Sequence, residues 1–445
     1  MLCDNNLTEG MKKCQAKKSG PSERKLQVKK RLKKSKWSKK TNISREEVQR
    51  NIDQVRKLAK RKCPTTPKNR RGKIRIASDC TGLGSDIIAL SQCRLLEKVE
   101  GVSWSDNDSS KRKMYRTVCY QLGHLKVGEV CEDMAQRNFA MAVSDCAKDT
   151  KKQVAIDLYI AGYPCPSFSA LGKKKGALDL RGLVTLHGLK FIAAKRPRVC
   201  ILENVRGLVS KKHKEVTDLM REIFTDMGYK VFLKALNSKE FGLPQSRPRV
   251  YIVAIQEDSM KKKFCWPKSW KLPKGSLKKF LDISDRSDEV VPIPNYEAKY
   301  GQDVWQKGYI LDVDSSERFQ SAQLGVCPCL TRSRLGSSTC GYYIPKLRRR
   351  LNVVEAGRLQ GVPKKITKIL VAATSDQQVR KALGDGMSIN VLGKVILACL
   401  ESIGAIQSAK EIDHGSQVSE GSDSVAHQGK MSFCTCELRL VAAHD

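Results

Sequence analysis

The chain has 445 residues, with 83 Lys and Arg against 46 Asp and Glu, a net charge of +37. Hydrophobic residues make up 40%, which supports a real core and excludes a wholly disordered protein. No run of 18 apolar residues and no apolar leader core occurs, so neither a membrane span nor secretion is expected. The excess positive charge calls for a polyanionic partner, nucleic acid first. Seventeen Cys at irregular spacings read as reduced thiols, and the absence of paired C-x-x-C disfavours a zinc ribbon.

Residues 11–40 hold 14 Lys or Arg and one acid, Glu23. The densest stretch, 29–40, repels itself and is expected to stay disordered. It reads as a nuclear-localisation signal, a nucleic-acid-binding arm or a solubilising tail. Ser44 with Glu47 three residues on forms a capping box, opening a helix with Val48, Ile52, Val55 and Leu58 on one stripe. Packing at a domain edge and contact with DNA both fit that helix.

From residue 73 short apolar runs alternate with helical patterns. The strands expected are Lys73–Ser78, Val99–Ser105, Ala155–Ala161, Arg198–Leu202, Lys230–Ala235 and Val250–Ile255. Helices are expected over Asp86–Leu95, Thr185–Ala194 and Val216–Met227. This alternation predicts an α/β fold with a parallel sheet. Residues 257–340 break the rhythm and read as a smaller inserted domain. Helical texture returns at Arg348–Gly361 and Leu383–Ser402, and the tail from 407 reads as disordered.

Four segments carry chemistry. Ser78–Ser85 (SDCTGLGS) lies between a strand and a helix, where glycines allow a tight turn and close approach to a ligand. About twenty residues on, strand Val99–Ser105 ends at Asp106-Asn107-Asp108, where an acid either binds ribose hydroxyls or caps a helix. The loop Ala161–Ser169 (AGYPCPSFS) holds Cys165 between Pro164 and Pro166, which suits a nucleophile facing a pocket, although most cysteines are inert. Strand Ile201–Val205 carries Glu203 at the edge where such sheets bind ligands. Finally, alternation puts Gln245, Arg247 and Arg249 on one side, a cationic cluster for a phosphate or a carboxylate.

Together these segments resemble the DNA cytosine-C5 methyltransferases. The proline-cysteine loop, the Glu203-Asn204-Val205 strand end and the Gln245-x-Arg247-x-Arg249 element follow that family's order and spacing. Arg358-Leu359-Gln360-Gly361-Val362-Pro363 and Gly384-Asp385-Gly386-Met387-Ser388 resemble its later elements, so the resemblance covers about 73–405. It implies a Rossmann-like S-adenosylmethionine-dependent methyltransferase sheet with a small inserted target-recognition domain. The implied domains are a basic arm (1–72), a catalytic domain (73–262 and 343–406), the target-recognition domain (263–342) and a disordered tail (407–445). Cys327-Pro328-Cys329-Leu330-Thr331 looks like the stretch closing the recognition domain, so its cysteines are expected to be structural, with no metal. The short recognition interval, 264–340, predicts a short target sequence.

The resemblance implies that the Cys165 thiolate attacks C6 of a cytosine flipped out of duplex DNA. Glu203 then contacts N3 and the exocyclic amine, while Arg247 and Arg249 hold the pyrimidine carbonyl or a phosphate. S-adenosyl-L-methionine is implied as cofactor, with contacts from Cys80, Gly82, Gly84, Asp106, Asn107, Asp133, Pro164, Asp385 and Ser388. Several positions depart from the family pattern: Ser78, Cys80, Pro166, His187 and Asp385. Two alternatives stay open. One is a transfer-RNA methyltransferase, whose Cys-Phe-Thr signature is absent here; the other is a catalytically silent DNA-binding homologue. The basic run predicts a nuclear location in a eukaryotic source and a cytoplasmic one in a bacterium.

Overall fold

The computed structural model describes residues 45–61, 72–123, 129–132, 134, 155–163, 180–320 and 322–407. The expected basic run at 29–40, the capping residue Ser44 and the tail from 408 lie outside the described residues. So do Asp133, Pro164 and Cys165.

The core is a seven-stranded sheet of β1 (Ile74–Asp79), β2 (Val99–Ser105), β3 (Glu129–Cys131), β4 (Leu158–Gly162), β5 (Val199–Val205), β6 (Tyr229–Asn237) and β7 (Pro248–Gln256). Its spatial order is β3-β2-β1-β4-β5-β7-β6. β1, β4 and β5 are buried almost throughout, which explains their unbroken apolar runs. The expected all-parallel sheet is corrected in one strand: β7 runs antiparallel to both β5 and β6. The reason is the short connection 238–247, which lacks a crossover helix, whereas a parallel return needs about a dozen residues or more.

Helices α1 (Arg45–Ala59), α2 (Ser85–Gln92), α3 (Ser109–Gln121), α4 (Leu180–Lys195) and α5 (Lys214–Asp226) belong to this first part of the chain. α3 is the helix that Asp108 caps, accepting from the N–H groups of Ser110 (3.0 Å) and Lys111 (3.4 Å). The sequence patterns did not single it out, because its mean composition is polar.

After β7 the elements become short: α6 (Pro294–Tyr300), α7 (Asp303–Gln306), α8 (Arg332–Leu335), and a small antiparallel sheet of β8 (Leu311–Asp312), β9 (Tyr342–Ile344) and β10 (Arg349–Arg350). Ile293, Tyr296, Val304, Tyr309 and Leu311 form their own apolar cluster. Other residues of the segment, including Leu277, Phe280, Leu330 and Tyr342, join the core that contains Ile160 and Tyr251 of the large sheet. The chain then closes with α9 (Val353–Gln360), α10 (Lys364–Ala373), α11 (Asp376–Asp385) and α12 (Ile389–Ser402). α10 and most of α11 fall between the two helical stretches expected from sequence.

α9 is anchored by a buried ion pair. Glu355, fully buried, receives both terminal nitrogens of Arg349 at 2.8 and 2.9 Å and completes a capping box with Asn352. The Asp282 amide also donates to Glu355 (2.8 Å), tying the inserted segment to this helix.

α1 packs against α4 and α5, so the domain-edge reading of this helix holds. Val48, Val55 and Ala59 are buried, while Ile52 and Leu58 are half-buried. Arg196, 5% exposed, gathers the C-terminal carbonyls of α1: its guanidinium donates to Leu58 O (3.3 Å), Ala59 O (2.6 Å) and Arg61 O (3.3 Å). A cation there satisfies orphan carbonyls and complements the helix dipole. Replacing Arg196 with Met is expected to cost about 2 kcal/mol, and hydrogen exchange should show the amides of 45–59 losing protection before those of β4 and β5.

Candidate active site

β1, β4 and β5 point their C-terminal ends at one edge of the sheet, and β1 and β4 are the neighbours where the strand order reverses. Open α/β sheets bind ligands at such an edge. Asp79 ends β1, and its carboxylate accepts from Ser105 Oγ of β2 (2.6 Å) and Tyr159 OH of β4 (2.7 Å). Tyr159 OH lies 3.0 Å from Tyr163 OH, so a buried hydrogen-bonded chain runs from the tip of β2 to the residue two before Cys165. Burial, reinforced by Asp79, pushes both phenols well above their ordinary value, which keeps them as neutral donors.

The glycine turn follows Asp79. Cys80 takes a left-handed backbone (φ 53°), rare for a residue with a side chain, and is half-buried. Gly84 opens α2 with φ 90°, a conformation that favours glycine. Asp106 braces this turn: one carboxylate oxygen accepts from Gly82 N–H (3.0 Å), the other from Asp108 N–H (2.9 Å). A carboxylate offers about four lone-pair sites, so Asp106 keeps acceptor capacity beyond these two bonds. Asn107 stands exposed beside it.

Lys111 of α3 links this turn to the end of the chain. Its ammonium lies 2.8 Å from Asp385, and Arg332 of α8 reaches the same carboxylate oxygen. Burial alone would lower the Lys111 pKa, but Asp385 and Asp106 outweigh it and raise it. Asp385 is therefore an ion-paired carboxylate at the rim rather than an uncompensated charge. Ser388 caps α12 and turns its hydroxyl to Gln360 Oε1 (3.2 Å), into the protein.

At the other half of the edge, Glu203 of β5 pairs in register with Gly162 of β4 and with Tyr251 of β7. Because β7 is antiparallel, its first residues sit at this same edge, and Arg249 Nε lies 3.2 Å from Glu203 Oε1. Glu203 is 6% exposed. Burial raises its pKa, and the coulombic pull of Arg249 and Arg247 only partly offsets this. A carboxyl that holds its proton to higher pH than usual suits proton donation.

Arg247 and Arg249 do different things. Arg247 is 2% exposed, and its terminal nitrogens donate to the carbonyls of Leu330, Gly384 (3.1 Å) and Gly386 (2.7 Å). The expectation that it reaches a base or a phosphate is thus not matched by its position, because the guanidinium is taken up by backbone. Gln245, wholly buried, works beside it: its amide donates to Leu359 O (2.9 Å) and Gln360 Oε1 (3.0 Å) and accepts from Leu330 N–H (3.1 Å). Gly384 is pressed against the next segment, and a Cβ there would fall 2.3 Å from the Arg332 backbone nitrogen.

Sequence reasoning treated Cys329 as structural, yet its sulfur lies 3.7 Å from both Arg247 and Arg249. Burial raises this thiol's pKa, but the two guanidinium groups outweigh it and bring the net value below normal. The P-C-L-T stretch itself gave no signal of this, because both arginines come from a distant strand. Cys327, two residues away, is wholly buried, and burial pushes it far up.

S-adenosylmethionine fits the glycine turn between β1 and α2. Space is open over Gly82, where a Cβ would meet nothing within 4 Å. Thr81 Oγ1, in this turn, is buried without a hydrogen-bond partner. Asp106, with acceptor capacity left over beside this turn, is placed to take a cofactor's hydroxyl donors. Gly82, Gly84, Asp106 and Asn107 would hold it. Asp133 and Pro164 are outside the described residues, as is the Cys165 side chain.

The sheet order, the glycine turn and the family match define a Rossmann-like methyltransferase fold. The chain belongs to the C-5 cytosine-specific DNA methylase family, whose model matches residues 123–401. S-adenosylmethionine dependence is a defining property of that family. The type II methyltransferase M.HaeII of Haemophilus aegyptius is 30% identical over 254 residues, covering 56% of this chain and 74% of that protein. The orphan methyltransferase M.Rho11sI of Bacillus phage rho11s is 32% identical over 186 residues, 42% of this chain. This match spans only 34% of the phage protein's length. Among solved structures, a Spodoptera frugiperda DNMT2 variant shares the fold with TM-score 0.52 at 17% identity, covering 74% of this chain and all of that one.

Removing Arg247 takes the charged donor from the carbonyls of Leu330, Gly384 and Gly386, so Arg247→Met is expected to cost about 1.5 to 3 kcal/mol. Arg247→Lys should recover only part, since an ammonium lacks the planar fork. The check is a urea midpoint that falls while the m-value stays constant.

Proposed function

We propose that this chain methylates C5 of cytosine in DNA, acting on a base flipped out of the duplex, through a transient bond between Cys165 and C6. The observation that carries the reading is the buried Glu203–Arg249 pair at the ligand edge, with Glu203 held toward its protonated form. Cys165 follows Gly162 by three residues, and Gly162 pairs with Glu203. Three residues reach at most about 11 Å, a length of chain that allows the nucleophile to approach the acid.

S-adenosylmethionine supplies the electrophilic methyl group when bound. The rest is done by side chains. The Cys165 thiolate adds to C6 and turns the C5–C6 double bond into an electron-rich enamine whose C5 takes the methyl; loss of the C5 proton to a base then expels the thiolate from C6 and restores the double bond. Glu203 gives a proton or a strong hydrogen bond at N3 as negative charge builds on the ring. Arg249, whose charge already faces this carboxyl, stabilises the glutamate left after proton transfer and the developing charge nearby. Arg247 is a positioning residue, fixing the strand start that carries Arg249. The buried Tyr159–Tyr163 chain holds the start of the nucleophile loop.

The test uses the full chain, tritiated S-adenosylmethionine, and duplex DNA and transfer RNA side by side. Label is expected in DNA with the wild type and in neither nucleic acid with Cys165→Ala. Preferential labelling of transfer RNA would sink the DNA assignment. Absence of label with folded, DNA-binding protein would sink the enzymatic one.

Glu203→Gln is expected to slow methyl transfer by about 10²- to 10⁴-fold. The pH profile carries the sign. A raised carboxyl pKa means that the proton needed at N3 is lost only as pH climbs through that raised value, so the wild-type rate should decline on the alkaline side. Single-turnover rates of Glu203→Gln, measured across pH, should lack that limb.

A further inference from the structure

The segment leaving β7 shows an arrangement that the site at Glu203 does not use. Between residues 261 and 279 there are eight lysines and no acid, and all eight lysines are exposed. Lys262 lies 3.8 Å from Glu401. Lys261, Lys263, Lys271, Lys274, Lys278 and Lys279 meet no carboxylate among the described residues.

This segment is fixed along its length. The amides of Lys261 and Lys262 donate to Ser402 O (2.8 and 3.0 Å) at the end of α12. Phe264 is buried against Phe232 of the edge strand β6, and Trp266 packs edge-on against Phe264. Trp270 then pairs with the loop after β6: its N–H donates to Glu240 O (2.5 Å), and its carbonyl accepts from Gly242 N–H (3.1 Å). Farther on, Leu277 and Phe280 enter the core. A mobile tail relieves like-charge repulsion by spreading, but a strap anchored at these points cannot. Its lysines are held as a line of positive charge that a polyanion stabilises.

Within that line stands the indole of Trp270, 56% exposed. It lies so close to Gly242 that a Cβ there would fall 2.0 Å from the ring. Glycine lets the ring lie on the backbone, while the rest of the indole faces water. A fixed, exposed aromatic among cations is the arrangement on which unpaired bases stack while the phosphates follow the charges. Paired bases in a duplex already stack on one another and offer no free face to it.

We propose that residues 261–279 form a track for single-stranded polynucleotide, with phosphates along the lysines and an unpaired base on Trp270. The track lies outside the Glu203 site and does not depend on methyl transfer.

The experiment measures anisotropy of a fluorescein-labelled 20-mer oligodeoxythymidylate and a 20-base-pair duplex, each titrated with the full chain at several KCl concentrations. Changing Lys271, Lys274, Lys278 and Lys279 together to Gln should reduce the single-strand slope of log K against log salt by about 2 to 3, at about 0.7 per phosphate lost. Trp270→Ala should weaken single-strand binding about 5- to 150-fold, with the salt slope and duplex binding unchanged. Trp270→Phe keeps a ring over Gly242, and should retain most of the affinity while losing the quenching of tryptophan emission that the single strand causes in the wild type. An unchanged slope in the lysine variant would overturn the proposal, as would equal weakening of duplex and single strand by Trp270→Ala, or quenching that persists in Trp270→Phe. All readouts are binding readouts, so failure to methylate DNA and failure of the track are scored separately.

Discussion

The guanidinium of Arg247 is the tie on which the arrangement of the site depends. A cation buried this deeply is tolerable only if its donors are met. Here both terminal nitrogens are met by carbonyls from two chain segments, Leu330 at the exit of the inserted segment and Gly384 and Gly386 in the closing turn, while Nε has no partner among the described residues. Gln245 adds a parallel tie to Leu359 and Gln360, and Gln360 in turn donates to Leu383 O (2.7 Å). Four segments distant in sequence are thereby sewn together beside the start of β7. The planar fork of Arg and the two-sided amide of Gln are the side chains with donors enough for such a seam.

What that seam holds is a charge pattern. Arg249, two residues along the same strand, faces Glu203 and Cys329, and the three groups set one another's protonation. Desolvation favours neutral Glu203, whereas the arginines favour ionised Cys329. Burial raises both neighbouring acids, yet their net shifts are opposite, because the thiol touches both cations while Glu203 pairs with only one. At the far half of the sheet edge, Lys111 balances Asp106 against Asp385. The Asp at 385, a departure from the family pattern, thereby becomes one member of a compensated set, with Arg332 as the third partner.

Much of this was legible in the residues. β2 falls where its apolar pattern predicted, and the glycine turn, Glu203 and the arginine element all meet at one sheet edge. The duality of the acids after β2 was also legible: Asp108 caps α3 while Asp106 braces Gly82. Less legible were α3 and α10, whose surfaces are too polar or too short in repeat to stand out. The division of labour between Arg247 and Arg249 was hidden as well. Alternation puts both on one side of a strand but says nothing of what else packs there.

The sequence by itself determined the class of fold, the order of its elements and the residue types at the ligand edge, since periodicity and turn chemistry are local properties of the chain. Only the tertiary structure decided the direction of β7, and with it the meeting of Arg249 and Glu203, since strand direction depends on how the short 238–247 connection returns. It likewise decided that Arg247 is enclosed by backbone, that Cys329 sits between two cations, and that Trp270 is held exposed over Gly242. Each of these is a contact between residues far apart in the chain, and burial, which governs their charge and exposure, exists only once the chain has folded.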